Sequence, residues 1–475
     1  MRKKQRLDDY EAVTRSHGKP AVDEPFVSNR RPRPLVAARL SSVVVDFPQN
    51  AKSLSSETET SLPSTSTRQE MWITRNGHAL SYIGIFVFTF LVFFRPYELF
   101  GWLSVLSKSA LVVAILTLVA FIPTQLGLEN RITVKPREIK LVFALVLTGV
   151  LSIPFAMEPA RAFQSFIEFL KVVVMFVVMV NVLRTNKRLR RLLLLVLLAS
   201  CVLSVAALND YRRGNLALEG RRIAGVIGGL FSNPNDLALH LVTMIPISIT
   251  LFFAARKPAK KLFYLTVSLL LMAGMVSTFS RGGFLGFLCV VAFLVWRLAE
   301  RNRAIFGVIG LVAVLALVVV APGAYRSRIT TTNDDSAVAR TDDLKRSIVV
   351  AVRHPLFGVG MDNYIIYSNL NKATHNAYTQ VAAEMGLAAF VIYLGFLITP
   401  FKRLRRIERA VYNAKRKPTE FYLAVGLQAS LLAYMVVSFF ASVAYLWYAY
   451  YLVAYAVALE RVVANWSDTA KSKTA

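Results

Sequence analysis

About twelve apolar stretches follow one another between residues 79 and 460, each near the ~20 residues a helix needs to cross hydrocarbon. Hydrocarbon offers no partner to backbone N–H and C=O groups, so a spanning segment must close its own hydrogen bonds. The spans read as 79–96, 102–122, 139–157, 163–183, 189–208, 235–254, 261–280, 282–299, 304–321, 377–400, 421–440 and 443–460. The first begins too late in the chain to serve as a cleaved secretory leader. The chain is 55% hydrophobic, well above the share of a soluble domain. The expected fold is an all-α integral membrane protein, with a disordered basic tail over 1–78, a polytopic unit over 79–460 and a C-terminal tail over 461–475.

The formal charge of +28 invites comparison with nucleic-acid binders, but the cations sit in short clusters between the apolar runs. One alternate set of connections is basic throughout: Arg131 to Lys140, Arg184 to Arg191, Arg256 to Lys261, Arg297 to Arg303, and Lys402 to Lys417. The positive-inside rule makes that set cytoplasmic and places both termini inside. The other set then faces the periplasm or exterior, including the one long loop, 322–376. Cys201 and Cys289, the two cysteines, lie in apolar runs and carry neither a disulfide framework nor a metal motif.

Against this topology some residues stand out. Outer loops should be poor in arginine, yet Arg212, Arg213, Arg221 and Arg222 fall in 209–234, and Arg281 sits in a tight turn, Ser280-Arg281-Gly282-Gly283. A guanidinium never deprotonates and matches phosphate oxygens in a bidentate fork, so a phosphate-bearing lipid suits outer arginines; snorkelling to headgroups is the plainer alternative. His375 stands where the outer loop re-enters the membrane, and its ordinary pKa suits a general base or an interfacial helix-start residue. Glu384 lies inside the expected span 377–400, facing the same cavity or paired structurally. Asp236 reads as a helix cap, and Glu168 with Lys171 as a neutralising pair one turn apart. Residues 337–352 read as an amphipathic helix with Leu344, Ile348, Val349 and Val352 on its apolar side. The pairs Asp334/Asp335 and Asp342/Asp343 read as solvated carboxylates rather than a metal site.

Four motifs together resemble the bacterial O-antigen ligase and polysaccharide polymerase family over about 220–390. They are Arg222 to Gly225 with Ser232-Asn233-Pro234-Asn235-Asp236, then Ser280-Arg281-Gly282-Gly283, then Arg353 to Gly360, then His375-Asn376 with Gly386. Where the family's signature carries a second glycine, this chain has Ala389. The resemblance implies a GT-C-type helical fold and a glycan donor linked to undecaprenyl diphosphate. It implies inverting transfer without a metal or other cofactor. Carried over, Arg222 and Arg281 would hold the diphosphate and His375 would activate the acceptor hydroxyl, whether on lipid A-core or on another lipid-linked glycan. Arg221, Asn235, Asn376 and Glu384 complete the candidate set as substrate-binding residues, with membrane lipids as neighbours and no nucleic acid. A protein O-oligosaccharyltransferase and a secondary transporter of sugars or anions are the alternatives; no half-to-half repeat of the transporter kind is visible.

Overall fold

The computed structural model describes residues 78–99, 102–103, 108–215, 223, 231, 233–298, 335–368, 373–412 and 419–471. Residues 1–77 of the expected tail 1–78, and the expected span 304–321, lie outside them. Among the described residues all regular structure is helical. In chain order the principal helices are α1 (Ala79–Phe94), α2 (Ser109–Glu129), α3 (Arg137–Ser152), α4 (Pro159–Val182), α5 (Asn186–Arg213), α6 (Pro234–Ala254) and α7 (Pro258–Ser277). They continue with α8 (Arg281–Leu298), α9 (Asp335–Arg353), α10 (Ala377–Met385), α11 (Leu387–Tyr412), α12 (Thr419–Val437) and α13 (Trp447–Lys471).

Among the described residues, ten helices, α1 to α8 with α11 and α12, are long and apolar enough to cross a membrane. The chain is an all-α membrane protein. The starts are chemically marked: α4, α6 and α7 open on proline, whose missing N–H costs nothing in a first turn. Several expected boundaries move, among them the end of α11, at Tyr412 rather than near residue 400. Helix α2 begins at Ser109 rather than near residue 102, and α13 runs on to Lys471. The expected continuous span 377–400 is instead two helices, α10 and α11, broken at Gly386 with φ 89°.

Ion pairs between helix ends fix the directions: Arg297 near the end of α8 meets Glu408 on α11, and Arg403 on α11 meets Glu138 at the start of α3 and Glu460 on α13. Helices α6, α12 and α13 form the centre of the bundle, and Phe421, Tyr434, Tyr450 and Tyr455 are fully buried there. Small residues permit close contact: a Cβ on Gly286 would meet Val437 at 2.3 Å, and one on Gly426 would meet Thr250 Oγ1 at 2.3 Å. Outward faces stay apolar, as at Leu111, Ile115 and Val119 on α2 and Leu262, Leu265 and Leu269 on α7. Such continuous exposed apolar faces suit lipid rather than water.

One end of the bundle carries the basic connections, and several of their arginines turn inward. Arg403 donates in a fork to buried Glu138, at 2.8 and 2.7 Å, and also pairs with Glu460. Arg184 reaches Glu129 at 2.8 Å and Gln125 at 2.9 Å, and Arg461 joins the same Glu129. Arg297 pairs with Glu408, and Arg190 with buried Glu420 at 3.1 Å. These contacts fasten helices remote in sequence, so part of the basic excess is structural. Beside them, burial and the Arg184 charge push the His78 imidazole below its ordinary pKa.

Candidate active site

The Ser-Arg-Gly turn joins α7 to α8. Phe279, in the left-handed region at φ 55°, reverses the chain within three residues. Buried Ser280 donates from Oγ to Asn235 Oδ1 at 3.0 Å and accepts from Gly283 N at 3.2 Å. Asn235 lies in the first turn of α6, so one hydrogen bond ties together two of the sequence motifs. The cap of α6 is Asn233, whose side chain accepts from Asn235 N at 2.9 Å; Asp236 sits in the first turn and does not cap it. Half-buried Arg281 opens α8. Gly282 and Gly283 let that start approach its neighbours, since added Cβ atoms would lie 3.2 Å from Phe440 and 2.8 Å from Ala238.

The histidine motif packs against the same segment that Gly282 approaches. Phe440 belongs to the segment after α12, residues 438–444. Thr374 Oγ1 lies 3.1 Å from Ser442 Oγ in that segment and donates to Asn376 O at 3.0 Å. Tyr378 donates to Met435 O at 2.6 Å. His375, half-buried, is held at φ 51°. A left-handed non-glycine residue costs on the order of 1–3 kcal/mol and persists where surroundings over-determine it. Asn376 caps α10, accepting from Tyr378 N at 2.9 Å and Thr379 N at 3.0 Å. Its amide nitrogen is buried without a hydrogen-bond partner among the described residues.

The loop before the histidine is a clamp. Val359 N donates to Ala383 O and Gly360 N to Glu384 O, both at 2.9 Å, and Leu387 N donates to Pro355 O at 2.8 Å. Gly358 at φ 67° and Gly386 at φ 89° make this docking possible: their Cβ atoms would fall 2.3 Å from Glu384 C and 2.4 Å from Leu356 O. Asn363 accepts from Glu158 N at 2.8 Å and returns a bond to Glu158 O, anchoring the loop to the start of α4. Glu384 is thus buried under the loop in α10, ahead of the membrane-crossing α11. Burial pushes its carboxyl above the ordinary range, with Tyr445 and Gln380 beside it partly offsetting the rise. Tyr445, Ser442, Thr374 and Asn363 carried no signal in the sequence, because each acts through a partner distant along the chain.

Helix α9 covers more than the amphipathic stretch expected. Asp343, Ser347, Val350 and Ala351 face the protein. Ile348, Val349, Val352 and the following Leu356 are exposed, leaving an apolar stripe on the outside. Tyr364 donates to Asp343 O at 3.0 Å, and burial followed by the nearby Asp343 charge raises the Tyr364 hydroxyl to about 12. Glu168 and Lys171 form the expected pair. His240 is a packed residue, 2.8 Å from Ser200 Oγ and ringed by Phe93, Phe231 and Tyr448. Arg221 and Arg222 lie outside the described residues; Ile223 beside them is buried. Among the described residues no group of three or more His, Cys, Asp or Glu is placed to hold a metal ion.

Beside the site, at the same end, an apolar groove of about 500 Å³ opens between α1, α2 and α4. Leu111, Ile115, Leu170 and Met175 line its walls, while Arg95, Lys171, Asp236 and Trp447 mark its polar parts. Asp236 follows Asn235, which links the groove to the Ser280–Arg281 turn.

Fold and site together define a multi-pass helical membrane protein whose candidate chemistry gathers at one end of the bundle. Residues 265–394 match the model of the O-antigen ligase family, which supports membership in that family and an O-antigen ligase-type membrane glycosyltransferase. The match contains Arg281, His375, Asn376, Glu384 and both clamp glycines, and stops short of Asn235. No curated protein matches the chain.

Proposed function

We propose that this protein transfers a glycan from an undecaprenyl-diphosphate-linked donor to an acceptor hydroxyl, on the outer face of a bacterial inner membrane. The observation that carries this reading is the packing of the Arg281 turn and the His375 turn against one segment, 438–444, next to a lipid-sized groove. The isoprenoid lies in the groove, and its diphosphate reaches Arg281, with Arg222 as the second guanidinium. Asn235 and Asn376 orient the sugar end, Arg221 adds charge, and Glu384 holds the clamp loop from beneath. The acceptor oxygen attacks the anomeric carbon opposite the diphosphate, giving inversion. As the new C–O bond forms, the hydroxyl proton passes to a His375 ring nitrogen, and the bond to the diphosphate oxygen breaks with its electron pair. Fixed guanidinium charge stabilises the leaving diphosphate where other enzymes place a metal ion.

The test is the fate of lipid-linked glycan in a deletion strain complemented with wild type, His375→Ala or Arg281→Ala. Undecaprenyl-linked material accumulates with either variant and clears with wild type. Single repeats identify a polymerase and finished chains a ligase. Unchanged surface glycan with no accumulation in the deletion strain would overturn the proposal in favour of transport.

A further inference from the structure

A second concavity, of about 320 Å³, lies at the basic end, where α5, α7 and α12 begin and α6 finishes. Its floor is apolar, built by Leu193, Leu251, Ala254 and Leu423, and its rim carries Arg190, Arg256, Lys257 and Lys260. Arg190 is engaged by Glu420 at 3.1 Å. Arg256, Lys257 and Lys260 are exposed and have no ion-pair partner among the described residues. This differs from Arg184, Arg297 and Arg403 at the same end, which are spent on half-buried Glu129 and on buried Glu408 and Glu138. Leu194 and Phe253, 36% and 40% exposed, carry the apolar floor out towards the lipid-facing surface.

Three uncompensated cations above an apolar cleft complement one chemistry: a phosphate joined to hydrocarbon. A soluble anion leaves the floor bare, and a neutral lipid leaves the cations unmatched. Basic pockets between membrane helices on this side bind anionic headgroups by that pairing. We propose that this cleft is a binding site for an anionic glycerophospholipid of the leaflet at the basic end, phosphate on Arg256, Lys257 and Lys260, acyl chain along Leu251 and Ala254. The site is separate from the glycan-transfer machinery, and its test does not depend on that reading.

The experiment titrates full-length protein in neutral detergent with phosphatidylglycerol and counts retained lipid by native mass spectrometry, with phosphatidylcholine and inorganic phosphate as comparison probes. Wild type retains phosphatidylglycerol in preference to phosphatidylcholine. The combined variant Arg256→Gln, Lys257→Gln, Lys260→Gln loses roughly a hundredfold in apparent affinity, from about a fivefold loss per cation. Lys135→Gln, Arg137→Gln, Lys140→Gln, an equal charge removal just before and within the first turn of α3, leaves retention unchanged. Ala254→Trp fills the floor without altering charge and also loses the lipid, which covers a combined variant that fails to fold. Equal losses in both charge variants, retention despite Ala254→Trp, equal retention of phosphatidylcholine, or displacement by millimolar inorganic phosphate each overturn the proposal.

Discussion

His375 is both the proposed base and a residue held in a costly backbone conformation. The two roles separate experimentally. Glycine adopts φ 51° freely, so His375→Gly should leave thermal stability in detergent unchanged or raise it by about 1 kcal/mol, while glycan transfer is lost. Stability falling with activity would mean the side chain is mainly a packing element. Arg281→Lys tests the fork: charge is kept, planarity is not, and transfer should drop at least tenfold with the fold intact. Full activity in the lysine variant would remove bidentate phosphate binding from the mechanism. Asn376→Ala should cost about 1 kcal/mol as a lost helix cap, whereas Asn376→Asp keeps the cap.

At the level of elements, the break between α10 and α11 carries most of the site's architecture. Gly386→Ala must move Leu356 O or straighten the chain, so it should destabilise by more than about 2 kcal/mol and abolish transfer. Near-wild-type melting would show that the clamp tolerates a side chain there. Glu384 beneath the clamp adds a pH dependence. Its carboxyl is raised above the ordinary range in the fold, so its contribution is full at acidic pH and declines as pH rises through the raised value. Glu384→Gln, which mimics the neutral acid, should remove that alkaline loss of stability; an unchanged profile would assign the loss to another group. The break was not legible beforehand. Hydrophobic pattern reads 377–400 as one apolar run, and the decisive contact, Leu387 N to Pro355 O, joins residues whose pairing leaves no periodic trace.

Across the whole molecule, the Arg–Glu contacts at the basic end decide how the helices are fastened. Glu138→Ala strands Arg403 at a buried site and should cost about 3–5 kcal/mol, read as a lower melting temperature in detergent. A change under about 1 kcal/mol would mean Arg403 is compensated by Glu460 alone. The span pattern, the helical class, the basic and non-basic alternation, and the four motifs were all legible in the sequence. Each arises within one segment, because hydrocarbon forces every crossing to satisfy its own backbone and a cluster of lysines or arginines marks its own side. Other features are not local: Asn233 rather than Asp236 as the cap of α6, Ser280 bound to Asn235, Thr374 bound to Ser442, and three cations left facing an apolar cleft while their neighbours are paired. They depend on which helix faces share close contact, set by small side chains and buried charges on segments far apart in the chain. Lateral packing of this kind gains nothing from hydrophobic contrast inside a membrane, so no periodicity in the chain announces it.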